Sequence, residues 1–323
     1  MATTTSITTT YAGEFAGQYI AKALLSGNTI SQGGITVKPN VKFKEVIKKV
    51  DTNAIVKDST CDFDPTSTIT LTERTLQPEF QQVNLQLCKK DFISDWEAIS
   101  MGYSAHQSLP SKFSDFLIAH VAEKVASKTE TSIWRGDTSN NGEFNGITTQ
   151  IATDASLPAA QEVAGTTVTS SNVIAQLGSI VDAIPSTVYG NEDLHIYVSQ
   201  NIARAYVRAL GGFGAVGDAN TYNNNAGIEN RGTMWYSLGQ NLAFDGVKLF
   251  VANGLADNTA VAAEKSNLYF GTGLVQDHNE VKVLDMADLD GSSNVRVVMR
   301  FTAGVQYGNV EDIVTYGITN SAN

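Results

Sequence analysis

The segment SKFSDFLIAHVAEKVASKTETSIWRGD, residues 111–137, limits what this chain can become more than any other stretch. Phe113, Phe116, Leu117, Val121 and Val125 recur at steps of three and four, which on a 3.6-residue period lays one apolar stripe along a helix. Lys112, Asp115, Glu123, Lys124 and Lys128 fall largely off that stripe. Ser111 is a natural cap, and the Gly136-Asp137 step stops the helix. The spacing predicts one helix over 111–133, about 35 Å long at 1.5 Å per residue. A helix of that reach serves as a beam, and what surrounds it in sequence is mostly strand and loop.

A chain of 323 residues can bury a large core as one elaborated domain or as two. No apolar run nears the ~20 residues needed to cross a bilayer, and the opening MATTTSITTT has neither a basic region nor an apolar core, so no export signal is expected. Cys61 and Cys88 make no disulfide framework and no CxxC pair, and both are expected as thiols in a cytoplasm. With Lys and Arg at 22 against Asp and Glu at 33, the net charge of -11 excludes a broad basic surface for nucleic acid.

In chain order, the Thr-rich residues 1–10 have no periodicity and are expected to need a partner chain for order, with Met1 retained. Phe15, Tyr19, Ala23 and Leu24 read as a short helix ended by Gly27-Asn28. Residues 35–90 carry strand signals with little that could form a core. Ile69 and Leu71 alternate, as do Val83, Leu85 and Leu87, with Gln77-Pro78-Glu79 as the bend between. A ribbon of two or three strands is marginal alone, so it must lie on its own domain or on a neighbour. Residues 91–101 read as a helix. Asn141-Gly142 or Asn145-Gly146 could close a hairpin. Residues 170–185 read as a helix capped by Ser170 or Ser171, with Val173, Leu177, Ile180, Val181 and Ile184 on one face. A strand at 194–199, a helix at 201–210 and a Gly- and Asn-rich loop from Gly211 to Gly232 follow; a loop that long suggests binding or assembly. Strands at LAFDG, VKLFVAN, NLYFG, VKVLDM, NVRVVMRFTAG and DIVTYGI complete an α+β order without regular βαβ alternation.

Each constellation that could carry chemistry has a better structural reading. The literal GxGxxG from Gly212 through Gly214 to Gly217 follows a helix and opens a loop, where a dinucleotide site needs a strand before and a helix after. Asp285, Asp288 and Asp290-Gly291 hint at a calcium loop, but its twelfth position is Met299 rather than Glu. His106, His120, His195 and His278 are scattered, and no GxSxG elbow or nucleophilic Cys signature appears. No catalytic, cofactor-binding or metal site is expected, and the chain is read as no enzyme.

The order of parts resembles the major capsid proteins of tailed bacteriophages, with the Hong Kong 97-type shell fold. The resemblance is carried by the ribbon block, the beam, the turn WRGDTSNNGEFNGI (Trp134 to Ile147), and the ending NLYFGTGL, VKVLDM and NVRVVMRFTAGVQYGNVEDIVTYGI. It covers nearly the whole chain and rests on architecture rather than on one motif. It implies an N-terminal arm (1–34), an extended loop (35–90), a peripheral domain (91–169) with its spine helix at 111–133, an axial domain (170–265), and returning peripheral strands (266–323).

Such a subunit would assemble as hexamers and pentamers into an icosahedral shell around double-stranded phage DNA. It would be made in the host cytoplasm and end in the virion, without membrane or cofactor. Portal, scaffold and decoration proteins are the further partners implied. There is no long charged heptad segment to act as a fused scaffold, and no covalent cross-linking is expected. Two other readings stay open: the shell of an encapsulin-type compartment, and a phage tail or surface adhesin. The second has no need of a spine helix.

Overall fold

The computed structural model describes residues 27–52, 56–59, 61, 68–88, 111–210, 242–273 and 282–321, leaving aside the side chains of 111–117, 119, 288 and 289. The Thr-rich arm, the readings at 15–24 and 91–101, the GxGxxG, the 211–232 loop, His106 and His278 lie outside them. In chain order the elements are α1 (Asn28–Ser31), β1 (Thr36–Lys38), β2 (Glu45–Thr52), β3 (Ile69–Leu76), β4 (Glu79–Cys88), α2 (Ser111–Arg135), α3 (Ile147–Ile151) and β5 (Glu162–Val163). Then come α4 (Val173–Asp182), β6 (Leu194–Val198), α5 (Gln200–Leu210), β7 (Ala243–Phe244), β8 (Val247–Val251), β9 (Ala260–Glu264), β10 (Leu268–Gly271), β11 (Lys282–Asp285), α6 (Ala287–Asp290), β12 (Asn294–Tyr307) and β13 (Val314–Tyr316).

The beam is helix α2, two residues longer than expected. Its stripe faces inward at Val121, while Glu123, Lys124 and Lys128 are exposed. Val121 and Val125 pack on Val83, Leu85, Leu87, Val283 and Val297, so α2 lies across β4, β11 and β12. This corrects half of the ribbon reading. Val83, Leu85 and Leu87 find cover on their own chain, because β4 pairs antiparallel with the 14-residue β12 along its whole length, from Glu79↔Ala303 to Cys88↔Asn294.

The six-stranded sheet runs β5-β13-β9-β6-β8-β7. Both of its faces are buried. Leu194, Ile196, Val198, Ala260 and Ala262 face one core with α4 and α5, while Tyr197, Val261 and Ala263 face a second core around Trp134 and Ile133. Strands covered on both sides lose the apolar-polar alternation. That is why β9, AVAAE, gave no period-two signal.

Several local readings change for physical reasons. Neither Asn-Gly pair closes a hairpin: Gly146 leads into α3, its N–H donating to Gly136 O at 2.9 Å. A Cβ on Gly146 would sit 2.6 Å from the Trp134 carbonyl, so the close pass over the end of α2 needs glycine. The real two-residue hairpin is Asp245-Gly246, both with positive φ, between β7 and β8. The residue flanking α4 is Asn172 rather than Ser170 or Ser171, and its side chain accepts from Thr169 N instead of capping the helix. Asn28 opens α1.

Candidate assembly surface

Strands β2 and β3 form a separate two-stranded ribbon, in register from Glu45↔Leu76 at the root to Thr52↔Ile69 at the far end. Seven steps of about 3.4 Å carry it about 24 Å from root to end. Residues directly opposite in an antiparallel pair share a face. One face therefore holds Val46, Lys48, Val50, Ile69, Leu71 and Glu73, and the other holds Ile47, Lys49, Arg74 and Leu76.

The second face is the one tied down. Leu76 is fully buried, and Arg74 Nη2 donates to Asp154 Oδ2 at 2.6 Å with its guanidinium 4.6 Å over the Tyr307 ring. Tyr307 donates its hydroxyl to the same Asp154 oxygen at 2.8 Å. Partial burial pushes the Asp154 carboxyl up, but hydrogen bonds from Ser156, Tyr307 and Arg74 together with the Arg74 charge outweigh it, and its pKa is lowered. Lys49 pairs with Glu311 at 2.7 Å, and Lys38 with Glu45 at 2.5 Å.

The first face is open to solvent. Val50, Ile69 and Leu71 are 60%, 70% and 64% exposed, and Val46 is also exposed. Lys48 and Glu73 sit among them at 3.8 Å, an exposed pair of little weight. Isolated apolar residues on a surface need no explanation, but four on one face of a projecting ribbon mark an interaction site.

A buried polar cluster fixes the chain just before the ribbon. Thr29 N donates to Glu130 Oε2 at 3.0 Å, Thr29 Oγ1 donates to the other oxygen, and Trp134 Nε1 donates to Thr29 Oγ1 at 2.8 Å. The Asn28 side chain donates to Val251 O, and Tyr197 donates to Gly34 O at 2.5 Å. Burial pushes the Glu130 carboxyl up more strongly than these donors pull it down, so its pKa is raised. Nothing in the sequence flagged Glu130, a charged residue one turn before Trp134 in a helix rich in charge. Strand β2 was missed as well, although EVIKKVDT places Val46 and Val50 on one face.

Asp285 and Asp290 accept from Ala287 N and Ser292 N, each closing its own turn. His195 Nδ1 lies 2.7 Å from the Asp193 carbonyl, and His120 is partly buried on α2. Cys61 and Cys88 are free thiols. Among the described residues no three His, Cys, Asp or Glu side chains come together as metal ligands, and no helix is long and apolar enough to cross a membrane.

This mixed fold of helices and sheets matches structures of phage capsids. The chain superposes on the capsid of a native GTA particle with a TM-score of 0.59 at 14% identity over 93% of both chains. The capsid of Myoviridae phage XM1 gives 0.58 at 13% identity over 92% of this chain and 94% of that one. The capsid of cyanophage P-SCSP1u gives 0.57 at 14% identity over 96% and 93%. No family model and no curated protein matches the sequence. The kinship is one of fold.

Proposed function

We propose that this chain is a major capsid protein that self-assembles into an icosahedral shell around double-stranded phage DNA. The observation that carries the reading is the ribbon, anchored to its own body on one face and apolar on the other, within a fold shared end to end with phage capsid subunits. Covering Val46, Val50, Ile69 and Leu71 is worth on the order of 6–12 kcal/mol gross at about 1.5–3 per side chain. Association itself costs about 4–15 kcal/mol. The ribbon alone comes near break-even, so a stable particle needs it together with other contacts, repeated around a ring.

The parts are those of the Hong Kong 97-type fold: arm 1–34, extended loop 35–90, peripheral domain 91–169 with its spine helix, axial domain 170–265 and returning strands 266–323. Strand β4 closes the extended loop while belonging to the peripheral sheet. The role is structural, in a virion capsid assembled in the host cytoplasm from hexamers and pentamers, with portal, scaffold or decoration proteins as further partners. The net charge of -11 suits a wall along which packed DNA must slide. Negative-stain microscopy of the purified chain tests the proposal. Closed particles of uniform diameter support it, and a monodisperse monomer at high concentration refutes it.

A further inference from the structure

Between the C-terminal half of α2 and the first residues of β4 lies an open cleft of about 220 Å³. Val83, Val125, Phe144 and Phe301 give it an apolar lining, and Gln81 stands in its wall beside Gly142. An apolar cavity of about 150 Å³ accommodates benzene, so this one has room for a single aromatic ring. The surroundings are acidic. Asp137 and Glu143 lie in the turn that follows α2, and Glu79 shares the face of β4 that carries Gln81 and Val83. Against these three carboxylates stands Lys128, already paired with Glu143.

Elsewhere on the chain a side chain of matching size and opposite charge stands in solvent. Phe43, in the link between β1 and β2, is 69% exposed. The link is held at both ends. Val41 is buried and its N–H donates to Thr272 O at 3.1 Å, while Glu45 pairs with Lys38. Lys42, Phe43 and Lys44 between them are all exposed, and Lys44 Nζ lies 5.3 Å from the centre of the Phe43 ring. An aromatic presented between fixed ends loses little freedom on docking, and aromatics seated in apolar pockets carry much of the energy of interfaces.

We propose that Phe43 of one copy seats in this cleft of a second copy, with Lys42 and Lys44 against Glu79, Asp137 and Glu143. This rests on the shell reading and adds a contact separate from the exposed face of the ribbon. Each copy carries one such aromatic and one cleft, so the contact can repeat from copy to copy around a ring.

Cross-linking between differently marked chains tests the pairing. With Cys61→Ser and Cys88→Ser in both, a Phe43→Cys chain and a Gln81→Cys chain are mixed, assembled and treated with copper phenanthroline as oxidant. A disulfide needs Cα atoms within about 7 Å, so a band of twice the subunit mass in the mixture, and in neither chain alone, is the expected result. Phe80, 88% exposed, is the control, and a Phe80→Cys chain in place of the Phe43→Cys chain should give no band. Light scattering over a concentration series reads the energetics. Phe43→Ala, and Gln81→Trp to obstruct the cleft, should fold like the wild type by circular dichroism and raise the concentration needed for assembly about tenfold or more. Phe80→Ala should leave that concentration unchanged. Normal assembly of Phe43→Ala, or particles whose mixture gives no cross-link, overturns the docking and leaves the shell reading intact. A cross-link from the Phe80→Cys chain instead assigns the cleft to another occupant and also overturns it. A wild-type chain that never assembles removes both readings at once.

Discussion

Glu130 places a carboxylate in the core, where its hydrogen bonds to Thr29 offset part of the desolvation penalty. Its folded-state pKa lies above the ordinary 4.5, so the folded chain holds the proton more tightly than the unfolded one. Its contribution is therefore most favourable below about pH 4.5 and declines as pH rises through the raised value. Glu130→Gln should melt at or above the wild type at pH 8 and remove this part of the pH dependence. Glu130→Ala, which strands the Thr29 donors, should lose about 1–3 kcal/mol. Denaturant melts from pH 4 to 8 read both. Packing gives a second pair of expectations. A Cβ on Gly254 would fall 2.1 Å from the Glu130 carbonyl oxygen, whereas one on Gly178, inside α4, meets nothing within 4 Å. Gly254→Ala should destabilise the chain, and Gly178→Ala should gain about 0.5–1 kcal/mol from helix propensity, as thermal scans will show.

At the scale of elements, α2 was legible because one face of it is apolar at a fixed period. Val121→Asp buries an unpaired carboxylate at a cost of several kcal/mol, comparable to the whole stability of a domain, while Lys124→Asp stays in solvent. Soluble yield and melting temperature should separate the two variants sharply. Helix α4 and strand β12 were legible for the same reason. What was not legible was partnership. Val83, Leu85 and Leu87 alternate as Ile69 and Leu71 do, yet only the first group meets β12 and α2, and no local pattern records which strand lies alongside. The ribbon root was hidden likewise, since Arg74, Asp154 and Tyr307 are brought together from three distant segments. That root should weaken in acid. The lowered Asp154 pKa means its contribution is present above about pH 3.8 and is lost as pH falls through the lower folded value. Asp154→Asn should reproduce the loosening at neutral pH, as faster hydrogen exchange of β2 and β3 amides with α4 unchanged.

On the shell proposal, the whole molecule folds alone but completes its burial only among copies of itself. Val46 and Thr75 stand directly opposite in the ribbon, so residues 47–74 can be replaced by a two-residue Asn-Gly turn without moving β4 or α2. The shortened chain keeps both cores and loses Val50, Ile69 and Leu71 from the exposed apolar face. The most direct measurement images wild-type and shortened chains side by side by negative-stain electron microscopy, with circular dichroism confirming the fold of each. The expected result is closed, uniform particles from the wild type and folded, dispersed subunits from the shortened chain. Normal particles from the shortened chain, or only monomers from the wild type, would contradict the claim that this ribbon builds a shell.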